Sequence, residues 1–152
     1  METIEAKDLD PKFKYEVASR PGGENIKLCY QCGTCTATCP VSEIDEEFNP
    51  RRIIRQVLLG LRKDVLASAA IWRCVQCYAC VAKCPQNVKF ADVMAALRRM
   101  AVEEGYAPES ILSDVEELGR FTQTMRRDLV NTLVADKSAY EGKKAYLASE
   151  MK

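Results

Sequence analysis

Apolar positions recur at helical spacing through most of this chain and at strand spacing almost nowhere. Between residues 49 and 61 the stripe runs Ile53, Ile54, Val57, Leu58 and Leu61, which places one apolar face on a helix of period 3.6. Asn49 is a good N-cap for that helix, Pro50 suits its first position and Gly60 suits its C-terminal cap. A second helical piece is predicted from about Lys63 to Arg73, with Val65, Leu66, Ala69 and Trp72 on its buried side. A third covers Lys89 to Glu104 through Phe90, Val93, Met94, Leu97 and Ala101, and Gly105 ends it. A fourth runs from about Pro108 to Val130, with Ile111, Val115, Leu118, Thr122, Met125 and Leu129 in register. Alternation is convincing only at Phe13-Lys14-Tyr15-Glu16-Val17. The expected fold class is mainly α.

The ends carry weaker patterns. Pro11, Pro21 and Gly22-Gly23 give residues 1–25 the look of an irregular N-terminal arm. Residues 131–152, rich in lysine and glutamate with scattered Tyr140, Tyr146 and Leu147, read as a C-terminal arm. The expected layout is therefore an arm, an α-helical domain over 26–130, and a second arm. Such arms are solvated tails or segments that order on a partner.

The cysteines change this picture most. All eight fall in two matching runs, Cys29-x2-Cys32-x2-Cys35-x3-Cys39-Pro40 and Cys74-x2-Cys77-x2-Cys80-x3-Cys84-Pro85. That is the ligand pattern of a protein with two [4Fe–4S] clusters, in which the fourth cysteine of each run serves the other cluster. The expected sets are Cys29, Cys32, Cys35 and Cys84 for one cluster, and Cys74, Cys77, Cys80 and Cys39 for the second. Pro40 and Pro85 turn the chain away after each fourth ligand. Gln31 matches Gln76 and Ala37 matches Ala82, so the runs form an internal repeat with a pseudo-two-fold. Zinc fits less well, since it favours well-separated paired knuckles or added histidine and the chain has no histidine. Disulfides need an oxidising compartment, and no signal-peptide pattern is seen at Met1 to Lys7.

Charge and length bound the rest. The 22 basic and 22 acidic residues balance, which gives no hint of nucleic acid. Two clusters with their thiolates would each add about −2, so basic residues near them have an electrostatic task. The longest apolar stretch, Val65 to Trp72, is too short to span a bilayer. The expected location is cytoplasmic, without direct membrane insertion.

Residues 28–105 resemble the iron–sulfur C-subunit of heterodisulfide reductase. The likeness lies in Cys29-Tyr-Gln-Cys-Gly-Thr-Cys-Thr, in Phe48-Asn-Pro-Arg-Arg-Ile-Ile-Arg with Leu59-Gly60, in Ile71-Trp72-Arg-Cys74, in Cys77-Tyr-Ala-Cys and in Val102-Glu-Glu-Gly105-Tyr. This resemblance implies an α-helical ferredoxin-like domain with two [4Fe–4S] clusters. It also implies an electron-transfer role in a complex with a flavin-containing iron–sulfur subunit and a catalytic, cysteine-rich subunit that reduces or forms a disulfide. The chain has no Cys-Cys pair of the kind such catalytic subunits carry, no Gly-rich dinucleotide fingerprint and no histidine, so substrate chemistry is not expected in it. Other readings are a free-standing two-cluster ferredoxin, an iron–sulfur subunit feeding a membrane quinone reductase, and a zinc-organised binding module.

Several further residues invite expectations. Arg51 and Arg52, within the family-like Asn-Pro-Arg-Arg unit, are candidates to stabilise a reduced cluster, with Arg55 and Arg73 weaker ones. Tyr30, Tyr78 and Trp72 are expected to shield the clusters from water. Gly33 is expected to allow close backbone approach that its counterpart Tyr78 cannot. Arg98-Arg99 and Arg126-Arg127 read as solvent-facing charge, and Asp45-Glu46-Glu47 as loop.

Overall fold

Asn49 and Gly60 bracket the helix around which the cysteine-bearing segments are arranged. The Asn49 side chain accepts the Arg52 amide at 3.0 Å, Pro50 opens helix α4 (Pro50–Leu59), and Gly60 closes it with φ +86°. An N-cap of this kind stabilises a helix by about 1 kcal/mol. Gly60 is also required by contact, because a Cβ there would collide with the Asp10 carbonyl oxygen, and the Asp10 amide donates to the Gly60 carbonyl at 2.8 Å. The expected stripe is buried: Ile53, Ile54 and Val57 are in the core.

The structure is a computed structural model that describes residues 6–151. The first five residues of the expected N-terminal arm, with the part of the Met1–Lys7 stretch they cover, and Lys152 lie outside the described residues. Helices α1 (Phe13–Ser19), α2 (Thr34–Ala37), α3 (Pro40–Ile44) and α4 are followed by α5 (Arg62–Leu66), α6 (Ala70–Arg73), α7 (Ala79–Lys83) and α8 (Phe90–Glu103). Helices α9 (Ile111–Ala135) and α10 (Lys137–Glu150) complete the chain. Among the described residues there is no strand, so the mainly-α expectation holds. The chain divides into two compact units after Glu109.

In the first unit three expectations are corrected. Phe13-Lys14-Tyr15-Glu16-Val17 is helix, not strand. Phe13 and Val17 are fully buried one turn apart while Tyr15 is 56 % exposed, so the operative period is four residues, not two. The Asp10 carboxylate accepts the Lys12 amide at 2.9 Å and starts this helix. The stretch expected as an irregular arm therefore supplies a core helix. The piece predicted over 63–73 is two short helices, because Ser68 Oγ accepts the Ala70 amide at 3.1 Å and turns the chain between them. Ala69 consequently faces solvent, while Ile71 is fully buried.

Helix α8 matches its expected face, with Phe90, Val93, Met94, Leu97 and Ala101 all buried and Gly105 ending it at φ +75°. Arg62 staples the unit together. Its guanidinium donates to Asp10 at 2.8 Å, Glu16 at 2.6 Å and Glu104 at 2.7 Å, and lies 5.2 Å from the Phe13 ring centroid.

The second unit is a helical hairpin. Asp136 joins α9 to α10, and its carboxylate caps α10 by accepting the Ser138 amide at 2.8 Å and the Ala139 amide at 3.2 Å. Lys143 Nζ donates to Thr132 Oγ1 at 2.9 Å across the pair. The helix expected to end near Val130 thus continues to Ala135, because no breaker intervenes before Asp136. The segment expected as a C-terminal arm is the second strut of this hairpin, and the helix assigned to the central domain belongs with it.

Candidate metal centres

Each cysteine run passes twice through left-handed backbone. In the first run these positions are Gln31 (φ 64°) and Gly33 (φ 85°); in the second they are Gln76 (φ 48°) and Tyr78 (φ 60°). The turns lead into α2, which carries Cys35, and α7, which carries Cys80; these two short helices pack against each other. Pro40 then opens α3 directly after Cys39. Tyr78 adopts the same left-handed conformation as Gly33, at a cost of about 1–3 kcal/mol for a non-glycine residue. Among the protein's own atoms a Cβ on Gly33 would meet only the Arg51 side chain, 3.7 Å away, and Gly33 lines the Cys29 cavity.

The folded runs line two cavities. One is walled by Cys29, Cys32, Cys35 and Cys84, together with Gln31, Gly33, Arg51, Ile54 and Phe90. The other is walled by Cys39, Cys74, Cys77 and Cys80, with Phe48, Tyr78 and Phe90. Three cysteines of each cavity come from one run and the fourth from the other. Among the described residues no three His, Cys, Asp or Glu side chains converge closely enough to hold a single metal ion. An all-thiol set spread around a cavity fits a polynuclear cluster, and the residues present therefore fit [4Fe–4S] groups.

The thiols sit in unequal surroundings. Burial pushes the thiols of Cys29, Cys35 and Cys74 up from their ordinary values, and that of Cys80 up to about 11. Cys32, exposed, is drawn down by the Thr34 hydroxyl 3.3 Å from its sulfur. Gln31 Nε2 donates to Cys29 Sγ at 3.5 Å and the Val88 amide to Cys84 Sγ at 3.4 Å. Cys32 and Cys77 are exposed and Cys80 is buried.

The remaining candidates divide. Arg51 stands at the rim of the Cys29 cavity. Arg52 does not approach either cysteine cavity; it lines a separate polar cavity with Glu47, Gln56 and Asp64. Arg73 is held by Asp45 at 2.8 Å and Glu47 at 3.2 Å, so the acidic loop is its partner. Arg55 is exposed. Of the three aromatics expected to shield, Tyr78 lines a cavity and the Tyr30 side chain is hydrogen-bonded to Cys32, while Phe48 and Phe90 add apolar wall. Phe90 forms part of both walls.

Arg98 is the residue that sequence reasoning missed. It is 5 % exposed, not solvent-facing. Its Nε donates to the Ile71 carbonyl at 2.8 Å, and its Nη2 to the carbonyls of Trp72 at 3.1 Å and Cys74 at 2.6 Å. Its guanidinium lies 5.8 Å from the Trp72 ring centroid. The signal was present: position 98 falls four residues after Met94 and three before Ala101, on the buried stripe.

Comparison with known proteins agrees with these cavities. The family described as a 4Fe-4S dicluster domain matches residues 25–88. An iron–sulfur C-subunit of CoB–CoM heterodisulfide reductase from Methanocaldococcus jannaschii is 46 % identical over 54 % of this chain and 43 % of its own. The corresponding C-subunit from Methanopyrus kandleri is 38 % identical over 68 % of this chain and 57 % of its own. The C-subunit of the H(2):CoB-CoM heterodisulfide,ferredoxin reductase of Methanothermobacter thermautotrophicus is 35 % identical, over 65 % and 52 %. The chain spans about half the length of the curated relatives it matches. The resemblance to the heterodisulfide reductase C-subunit and the presence of two [4Fe–4S] clusters are thus shown. Among the described residues no helix is long and apolar enough to cross a membrane.

Proposed function

We propose that this chain, similar to the heterodisulfide reductase C-subunit over its cysteine-bearing part, is the electron-transfer subunit of a heterodisulfide reductase-like complex. It works between a flavin-containing iron–sulfur subunit and a catalytic, cysteine-rich subunit that reduces a disulfide, or forms one in sulfur oxidation. Cys29, Cys32, Cys35 and Cys84 hold one cluster, and Cys39, Cys74, Cys77 and Cys80 hold the other. When bound, the two clusters supply one-electron exchange and a relay between neighbouring centres. The chain's own residues position and insulate them. Left-handed turns at 31, 33, 76 and 78 aim the thiols, and Phe48, Tyr78 and Phe90 keep water from the cavities.

The observation that carries this reading is that every cysteine lies on one of the two cavity walls. No thiol remains to form a mixed disulfide with a substrate, and the chain has no histidine for proton transfer.

Anaerobic affinity purification from the native host, with flavin, iron and peptide analysis of what accompanies the chain, tests the reading. A flavoprotein and a subunit with adjacent-cysteine motifs are expected. A brown protein isolated alone, or one that reduces disulfides without partners, would overturn it.

A further inference from the structure

Among the described residues, Arg98 is the only buried charged side chain. Its donors are satisfied by the neutral carbonyls of Ile71, Trp72 and Cys74, which leaves its charge uncompensated. It forms no ion pair with a carboxylate among the described residues, and its closest polar contact is the Cys74 carbonyl, 2.6 Å from Nη2. Those three carbonyls belong to the segment that leaves α6 and enters the second cysteine run. A buried cation without a counter-ion is strongly disfavoured. A site that becomes about −2 when four thiolates enclose a [4Fe–4S] core removes that penalty.

We propose that Arg98 is the internal counter-ion and clamp of the site formed by Cys39, Cys74, Cys77 and Cys80. It fixes the Cys74 arm in ligating position and stabilises the added electron, which raises that site's reduction potential. The inference rests on the cysteine grouping proposed above. Reduction adds one electron to the oxidised site from a one-electron donor. The site moves from about −2 to about −3, with no bond made or broken. A positive charge held in low dielectric favours the more negative state and is poorly screened by salt.

The other site is built differently. Cys29 and Cys32 have Gln31 and Thr34 side chains against their sulfurs, and the cation nearby, Arg51, is exposed. Solvent weakens the influence of Arg51, whereas Arg98 acts from inside.

The test is a redox titration of the loaded full-length chain, followed by electron paramagnetic resonance. Cys77→Ser marks which signal belongs to the Arg98 site. Arg98→Gln is expected to lower the midpoint of that site alone, by about tenfold in its reduced-to-oxidised ratio at fixed potential, about 59 mV for one electron. Arg98→Lys, which keeps the charge, is expected to bind full iron with a wild-type midpoint. Full iron in Arg98→Gln with both midpoints unmoved, or with both moved equally, would overturn the proposal. If Arg98→Gln loses half its iron, Arg98→Lys decides. Full iron with the native midpoint supports a counter-ion; iron lost again, or a lowered midpoint, despite the retained charge, overturns it. These midpoints are read without partners, so a failure of the complex would leave this result standing on its own.

Discussion

The Thr36 hydroxyl donates to Asn49 Oδ1 at 3.0 Å and accepts the Arg51 amide at 3.1 Å, so the first cysteine run is tied directly to the N-terminus of α4. One residue sits between two ligands of different cavities and the other caps the helix that packs beneath them. Asn49→Ala is expected to destabilise the loaded protein by about 1–2 kcal/mol. Thr36→Val is expected to cost about 1 kcal/mol. Their double variant should lose less than the sum, by more than about 0.5 kcal/mol, in anaerobic denaturant unfolding. Full additivity would mean the two groups act independently.

The shared cavities make an unusual prediction for paired cysteine variants. Cys32→Ala with Cys84→Ala removes two ligands of one site, and should leave half the iron bound. Cys32→Ala with Cys39→Ala removes one ligand from each site and should strip both. If each run instead held its own cluster, the two outcomes would be exchanged. Iron and acid-labile sulfide assays on the purified variants read the answer.

Gly33→Ala introduces little crowding among the protein's own atoms, the nearest being the Arg51 side chain at 3.7 Å. Its cost is conformational, about 1–2 kcal/mol for an alanine at φ 85°. The loaded variant should keep all its iron and melt a few degrees lower. Gly33→Asn should recover part of that loss, because asparagine tolerates the left-handed region.

Arg62→Met removes the group that joins Asp10, Glu16 and Glu104. It should destabilise the first unit by about 1–2 kcal/mol after allowance for partial solvent screening. For Asp10, burial acts upward, but the Lys12 amide and the Arg62 guanidinium outweigh it and hold its carboxyl below the ordinary 3.8. The stabilisation from this carboxylate is therefore present above about pH 3.8 and is lost as pH falls through its lower folded value. Asp10→Asn should flatten that part of an acid-unfolding curve, whereas a curve unchanged by the substitution would assign the acid limb to other groups.

Much of the core was legible because its signals are local. Asn49, Pro50 and Gly60 state the ends of α4 in residue types, and the α8 stripe needs only a count of three and four. The two cavity walls follow the cysteine frame, with Cys39 and Cys84 exchanged between them. What escaped depended on contacts distant in sequence or on one side chain's rotamer. Phe13, Tyr15 and Val17 satisfy a period of two or of four equally well, and only the core decides between them. Ser68 breaks a helix through a single hydroxyl. Arg98 and Arg99 look like a matched charged pair, yet a helix turns neighbouring residues about 100° apart. Position 98 falls on the buried stripe with Met94 and Ala101, and position 99 does not.

The exchange of Cys39 and Cys84 between the cavities has a consequence for how the protein is made. Cys84 comes late in the chain, and the wall that receives it begins at Cys29. A ribosome that has exposed only the first run offers three thiols around an open space and nothing to close it. The second space is likewise incomplete until Cys74, Cys77 and Cys80 have all emerged to meet Cys39. On the proposed ligation the Cys39 set is complete once Cys80 has emerged and the Cys29 set only at Cys84, so both would fill late in synthesis. A chain cut before residue 74 would then offer neither cavity four thiols.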